Sequence, residues 1–344
     1  MKKGKLLLLG VFAAVIALVL CACGEPSTGE ATTKEDFEPV VLRYSTMMST
    51  EHISYEVAQE IAAEVKEATE GRVSIDIYPS NQLGDWTQVY DELMMGTIDM
   101  AHSSVPETYD PRMGVGYFPY LAVDYDELGE LFADGSFLWN SMSEMQANQG
   151  VKFMGFFCEG LCGVATTKEL DNYNNLESKN IKIRSAAMDV YLKPLAFMGF
   201  DTASINSSDT FAAIQTGVVK GYAGNTAMTS YLNYRDLIDY YYAYNVNPEV
   251  TQIMMSQKTY DKLLPEDAAA IEAICKEKCM ESVSVAEQME NEYFQLMEES
   301  GITVVRFTDE ELNYLAEQVR ENVWPELAET YTAEFIENLQ SSYN

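Results

Sequence analysis

Arg184 is the residue of this 344-residue chain best placed for ligand chemistry. It follows a strand-like run, Ile181-Lys182-Ile183, and precedes a helix-like run from Ala186 to Met198. In an open α/β sheet such a junction opens onto the crevice where ligands bind. A guanidinium there offers a planar fork of donors that grips a carboxylate through two parallel hydrogen bonds. The same spacing also suits a surface arginine paired with a nearby acid.

Catalysis has much less to work with. His52 and His102 are the only histidines, and neither belongs to an H-E-x-x-H run or accompanies a G-x-S-x-G elbow. No catalytic residue is assigned, and the expectation is a protein that is not an enzyme. The body of the chain holds Cys158, Cys162, Cys275 and Cys279, each pair spaced i,i+4. Structural zinc sites usually place two residues between paired cysteines, so buried or free thiols are expected, with no metal and no cofactor.

Charge narrows the partners. With 22 basic against 54 acidic residues, the formal net charge is −32. That argues against nucleic acid and anionic headgroups. The acids are spread along the chain, which reads as a solvated acidic surface. Apolar residues make up 47%, enough for real cores, and the length suits two domains.

The first residues carry a targeting signal. Lys2, Lys3 and Lys5 form a basic region, and Leu6 to Leu20 an apolar one too short to span a bilayer. Leu20-Cys21-Ala22-Cys23-Gly24 reads as a lipobox, with Cys23 the lipidated mature N-terminus. Residues 1–22 are thus expected to be a lipoprotein signal peptide; an ordinary signal peptide is the alternative. Residues 23–38, rich in Ser, Thr, Glu, Pro and Gly, read as a flexible tether. The expected location is the outer face of the cytoplasmic membrane, held through the N-terminal lipid.

Periodicity supplies the elements that must position Arg184. Val41 to Thr46 and Val73 to Tyr78 read as strands, and Thr50 to Ala68 as a helix with Ile53, Val57, Ile61 and Val65 on one face. Asp85 to Met95 reads as a helix closed by Gly96, and Thr97 to His102 as a strand. The result is a β-α-β-α-β run, the pattern of a largely parallel sheet. The second half repeats it: strands at Gly163 to Thr167, Ile181 to Arg184 and Val218 to Tyr222, and helices at Ala186 to Met198 and Ser208 to Thr216. Tyr240 to Val246 is β-rich and suited to carrying the chain back to the first half. A strand follows around Thr251 to Ser256, then a long helix from Pro265 to Glu299. A last helix starts at Asp309, behind a Thr308/Glu311 capping box.

Two α/β domains should therefore face each other, with strand ends lining one cleft. His102, Ser103 and Ser104 stand at one such end, where a capped turn is the other reading. Met48 follows the first strand, and Tyr222 is suited to stacking on a ligand or to the core. His52 opens a helix and reads as a surface residue.

Three stretches then resemble a known family. Gly71-Arg72-Val73 through Tyr78-Pro79-Ser80-Asn81-Gln82-Leu83-Gly84 matches its "G-R-V…Y-P…Q-L-G" segment. Gly96-Thr97-Ile98-Asp99-Met100 matches its "G-x-[IL]-D-[MF]" segment. Ile181-Lys182-Ile183-Arg184 with Phe211 to Val219 resembles its carboxylate-arginine region. The chain, from about Val41 to Tyr331, resembles the solute-binding proteins of tripartite ATP-independent periplasmic (TRAP) transporters, dicarboxylate-binding type. The resemblance implies a periplasmic-binding-protein-like clamshell, type II-like, with the long helix spanning both domains. Domain I would comprise 39–160 plus 248–287, and domain II 161–247 plus 288–344. It implies that Arg184 pairs with a ligand carboxylate, that Asn225 lies near it, and that small and large membrane subunits take over the ligand. A monomer is expected. Cys162 stands where many members carry a second arginine, and Lys220 and Ala223 replace a usual Asp and Glu. A monocarboxylate with a polar or aromatic remainder thus becomes an option beside a dicarboxylate. A ligand-sensing lipoprotein feeding a membrane receptor, and the binding protein of an ATP-driven importer, are the competing functions.

Overall fold

The structure is a computed structural model, and it describes residues 37–343. The signal peptide, Cys23 and nearly all of the tether lie outside the described residues. Among the described residues no helix is long and apolar enough to cross a membrane.

The chain begins as the periodicity predicts. Strand β1 (Val40–Thr46) leads through helix α1 (Ile53–Ala68) to β2 (Val73–Tyr78), and α2 (Trp86–Met95) leads to β3 (Met100–Ser103). Asp85 caps α2 in a reciprocal capping box with Gln88, and Gly96 closes it in the left-handed region. A 3-10 segment (Pro111–Tyr117), α3 (Tyr125–Phe132) and α4 (Phe137–Ala147) follow. None of these three is expected from the sequence. Strand β4 (Val151–Leu161) then runs directly into β5 (Gly163–Thr166).

Next come β6 (Lys182–Ser185), α5 (Asp189–Phe197), β7 (Asp201–Ser204), α6 (Thr210–Gln215), β8 (Gly221–Asn225), α7 (Ala227–Tyr234) and β9 (Tyr240–Tyr242). Strand β10 (Pro248–Ser256) and the short α8 (Gln257–Tyr260) precede the 35-residue α9 (Pro265–Glu299). Strand β11 (Thr303–Val305), α10 (Asp309–Asn322), α11 (Ala328–Tyr331) and α12 (Ala333–Ser341) complete the fold.

The strands form two sheets. The first has the order β2-β1-β3-β10-β4 and the second β11-β9-β5-β8-β6-β7. In the first sheet β1, β2 and β3 are parallel, while β10 runs antiparallel to both β3 and β4. The chain crosses between the sheets three times: along α9, and through two short connections at Cys162 and at residues 243–247. The two short crossings bond to each other: Cys162 N–H donates to Asn247 O at 2.8 Å and Val246 N–H to Cys162 O at 3.0 Å. At about 1.5 Å per residue, α9 is roughly 50 Å long. It packs against β4 and α1 of the first sheet's layer and against α7 and β11 of the second's. A Cβ at Gly155 would come within 2.7 Å of Cys279 Sγ, so glycine lets α9 lie close on β4.

Three expectations move. The helix expected from Ala186 begins at Asp189, because the chain bends at Ala187 and Met188 after the strand and Met188 keeps an extended backbone. The strand expected at Val218 begins at Gly221, since the chain needs Val218 to Lys220 to turn out of the left-handed Gly217 cap. The C-terminal helices, expected with the second lobe, pack largely on the first. Arg320 donates to Tyr120 O and pairs with Glu127, and the buried Trp324 donates to Pro119 O. Apolar residues of α10 to α12 join the core around Phe118 and Leu128, and that burial decides their position.

Pro194 sits inside α5. Having no N–H, it leaves the Val190 carbonyl without its helical donor. The Asn247 side-chain amide supplies one at 3.1 Å, and also donates to Tyr117 O at 2.7 Å. Asn247 is 1% exposed. One crossing residue therefore ties the start of α5 to the 3-10 segment. Asn247→Ala is expected to lower stability by about 2–3 kcal/mol, because two buried carbonyls lose a donor. Urea unfolding monitored by circular dichroism measures it, and a loss below about 0.5 kcal/mol would contradict this role.

Candidate functional site

A cavity of about 420 Å³ opens between the two sheets. Its wall includes Met48 after β1, His52 at the cap of α1, Tyr117 at the end of the 3-10 segment, and Glu159 and Glu249 on β4 and β10. The second sheet contributes Arg184 on β6, Ala186, Met188 and Tyr191 around the start of α5, and Ala223 to Thr226 at the end of β8.

Arg184 sits where the strand-end argument puts it. Its Nε donates to Ile205 O at 2.8 Å, which fixes the plane of the guanidinium. It is 8% exposed, and no ion pair holds it among the described residues. Burial lowers its pKa, yet a guanidinium stays charged at any physiological pH. The two terminal nitrogens are thus free to take an anion.

The three-residue shift of β8 matters here. It brings Ala223, Gly224 and Asn225 to the strand's carboxyl end, inside the cavity. Gly224 has φ +90°, and a Cβ there would lie 3.1 Å from the Tyr191 ring. Glycine therefore lets Tyr191 lie against the strand. Burial raises the Tyr191 pKa, the Glu249 carboxylate adds to the rise and the Arg184 guanidinium opposes it.

The glutamates owe their position to a bulge. In the β4–β10 ladder Glu249 faces Gly160 while Val250 faces Cys158, so Glu159 has no partner across the ladder. Regular alternation would send Glu159 and Glu249 to opposite faces; the extra residue breaks it and both reach the cavity. Glu159 accepts from Thr251 Oγ1 at 2.9 Å and lies 3.4 Å from His52 Nε2. Ser54 N–H donates to His52 Nδ1, which leaves the proton of the neutral ring on Nε2, facing Glu159. Burial lowers the His52 pKa. The Cys162 thiol, 3.8 Å from Glu249 Oε2, is the hydrogen-bond partner of that side chain. Burial pushes Glu159 up to about 8, helped by the neighbouring Glu249, and Glu249 up to about 7.

Of the residues expected at the site, Arg184, Asn225 and Met48 line the cavity. His102, Ser103, Ser104, Tyr222 and Cys162 do not; they stand one layer behind it. His102 is 1% exposed, its Nε2 is 2.8 Å from Thr251 Oγ1, and its ring packs edge-on against Phe157. Burial holds it neutral, with a pKa near 3. The physical reason is β10, which pairs beside β3 and covers His102 and Ser103 within the sheet. Ser104 accepts from the Tyr117 hydroxyl at 3.1 Å and so braces a wall residue. Tyr222 lies mid-strand after the shift of β8, packed on Tyr234. Lys220 is exposed. The four body cysteines are free and buried, and the described residues hold no cluster fit for a metal.

Sequence reasoning misses Glu159, Glu249, Tyr117, Tyr191 and the inward position of His52. A signal for the acids is present: each interrupts an apolar strand beside a point where the chain changes sheets. An ionisable residue inside such a run is costly to bury and marks a site.

Both glutamates carry protons in the native state over a pH range where the unfolded chain, ionising near 4.5, has lost them. Their contribution to stability is therefore complete below about pH 4.5 and lost as pH rises through about 7 to 8. Thermal unfolding of the ligand-free protein should shift to lower temperature over that interval. Glu159→Gln and Glu249→Gln should flatten the fall; an unchanged slope in the double variant would refute the assignment.

The comparisons with known proteins agree with this architecture. The model of the family "Bacterial extracellular solute-binding protein, family 7" matches residues 44–330. The C4-dicarboxylate-binding periplasmic protein DctP of Vibrio cholerae is 22% identical over 303 residues, covering 87% of this chain and 89% of that protein. A TRAP periplasmic solute-binding protein from Ochrobactrum anthropi has a similar structure, with a TM-score of 0.77 at 18% identity, covering 89% of this chain and 95% of its own. Another, from Citrobacter koseri with bound D-glucuronate, has a TM-score of 0.68 at 21% identity, covering 89% and 99%.

Proposed function

This chain belongs to the bacterial extracellular solute-binding proteins of family 7, and from that premise we propose that it captures a small carboxylate-bearing organic acid on Arg184 for a TRAP-type transporter. The observation that carries the reading is a buried guanidinium, 8% exposed, with no acidic partner among the described residues and a cavity in front of it. The Citrobacter koseri relative is described with a bound sugar acid, and the Vibrio cholerae relative as a dicarboxylate binder. Both names suit an anionic ligand.

Recognition then works by charge pairing and water exclusion. The free edge of Arg184 meets the ligand carboxylate through two N–H···O bonds. Asn225 and Met48 contribute a polar and an apolar contact beside it. A ligand without an acid leaves a buried cation unpaired, and that penalty supplies selectivity. Closure about the paired crossings at Cys162 and 246–247 shields the contact. Nothing in this scheme requires catalysis. The mature protein is held by a lipid on Cys23 at the outer face of the cytoplasmic membrane, works as a monomer, and passes its ligand to the small and large membrane subunits.

A thermal-shift screen of organic acids followed by calorimetric titration tests the reading. Arg184→Ala should weaken the best acid by about 3 kcal/mol, on the order of a hundredfold. Arg184→Lys should recover only part of this, because an ammonium has no planar fork. Equal affinity in wild type and Arg184→Ala would reject carboxylate capture at this residue.

A further inference from the structure

Carboxylate capture leaves two wall residues of the same cavity unexplained. Glu159 and Glu249 stand on one face of the bulged β4–β10 pair, and both line the cavity with Arg184. Resting on the function proposed above, we infer that the ligand is amphoteric: its carboxylate sits on Arg184, and an ammonium or amidinium of the same molecule sits against Glu159 and Glu249.

Several observations favour a cation at that end. Among the described residues, Arg184 is the only lysine or arginine in the wall. Among the described residues neither glutamate meets either residue type in an ion pair; His52 is the nearest basic group, 3.4 Å from Glu159. The carboxyl of Glu249 has only the Cys162 thiol beside it, and that of Glu159 has Thr251 and a neutral His52. Further out stand Cys158, Tyr117 and Tyr191, together with Glu290 on α9, and none of these is cationic. Once these acids ionise, above about pH 7 to 8, a second carboxylate on the ligand would meet two negative charges and be repelled. An ammonium carries donors enough for both carboxyls and offsets one negative charge, and the cavity of about 420 Å³ has room for an amino-acid-sized molecule. The net charge of −32 also draws cationic groups toward the protein.

Matched pairs of probes separate the two ends of the ligand. One set comprises γ-aminobutyrate, δ-aminovalerate, lysine and arginine; the other comprises γ-hydroxybutyrate, δ-hydroxyvalerate and glutarate. Calorimetric titration of the full mature chain should find at least one amino compound bound at least tenfold tighter than its hydroxy counterpart. The isosteric Glu249→Gln, with its fold checked by circular dichroism, should lose at least tenfold for that compound. Its affinity should also rise with pH through about 7 to 8, where both glutamates ionise. Tighter binding of the hydroxy acids or glutarate, or silence from the whole amino set, overturns the inference. If those plain acids bind and Arg184→Ala abolishes their binding, carboxylate capture survives and only the amphoteric ligand falls. If their binding survives Arg184→Ala, the failure belongs to carboxylate capture instead.

Discussion

Burying a guanidinium without giving it an anion costs several kcal/mol. Arg184 is such a group. Its Nε is tied to Ile205 O, so the side chain is held rather than collapsed, while the free edge faces a cavity. The strand register, the late start of α5 and the glycine under Tyr191 all serve to keep that edge open. A site prepared in this way loses little ordering entropy when the anion arrives.

The opposite wall is made by an irregularity. A single extra residue in β4 rotates Glu159 onto the face already occupied by Glu249. Burial raises the cost of ionising both acids, and the neighbouring Glu249 adds to it at Glu159, which is why both carboxyls hold their protons toward neutral pH. The bulge lies next to the crossing at Cys162, so the acids sit where the two sheets meet. Asn247 joins this junction to the start of α5 by satisfying the carbonyl that Pro194 orphans. Motion of one sheet against the other would therefore be felt by the wall that carries Tyr191 and Met188. Helix α9 packs along both layers.

Much of the scaffold is legible in the chain. The β-α-β-α-β opening follows from period-two and period-four spacing, closed by Gly96. The long helix from Pro265 to Glu299 and the Thr308/Glu311 capping box appear as read. Some segments escape: α3 and the 3-10 turn are short, with eight and seven residues, and the 11-residue α4 segregates its apolar residues only weakly to one face. Arg184, Asn225 and Met48 are found because strand ends point into crevices. His102, Ser103 and Tyr222 obey the same rule and still miss the cavity, since a neighbouring antiparallel strand and a shifted strand start move them one layer back.

Local sequence thus determines which segments are helices and strands, where they are capped, and that one cationic fork lies at a strand's end. Those properties depend on residues within a few positions of each other. Which side chains share a cavity was decided only by the tertiary structure. Glu159 meets Glu249 across about ninety residues of chain through a ladder with one extra residue, and Asn247 finds Val190 because a proline elsewhere removed a donor. Register and bulges depend on the packing of distant strands, so their consequences for the site have no local signature.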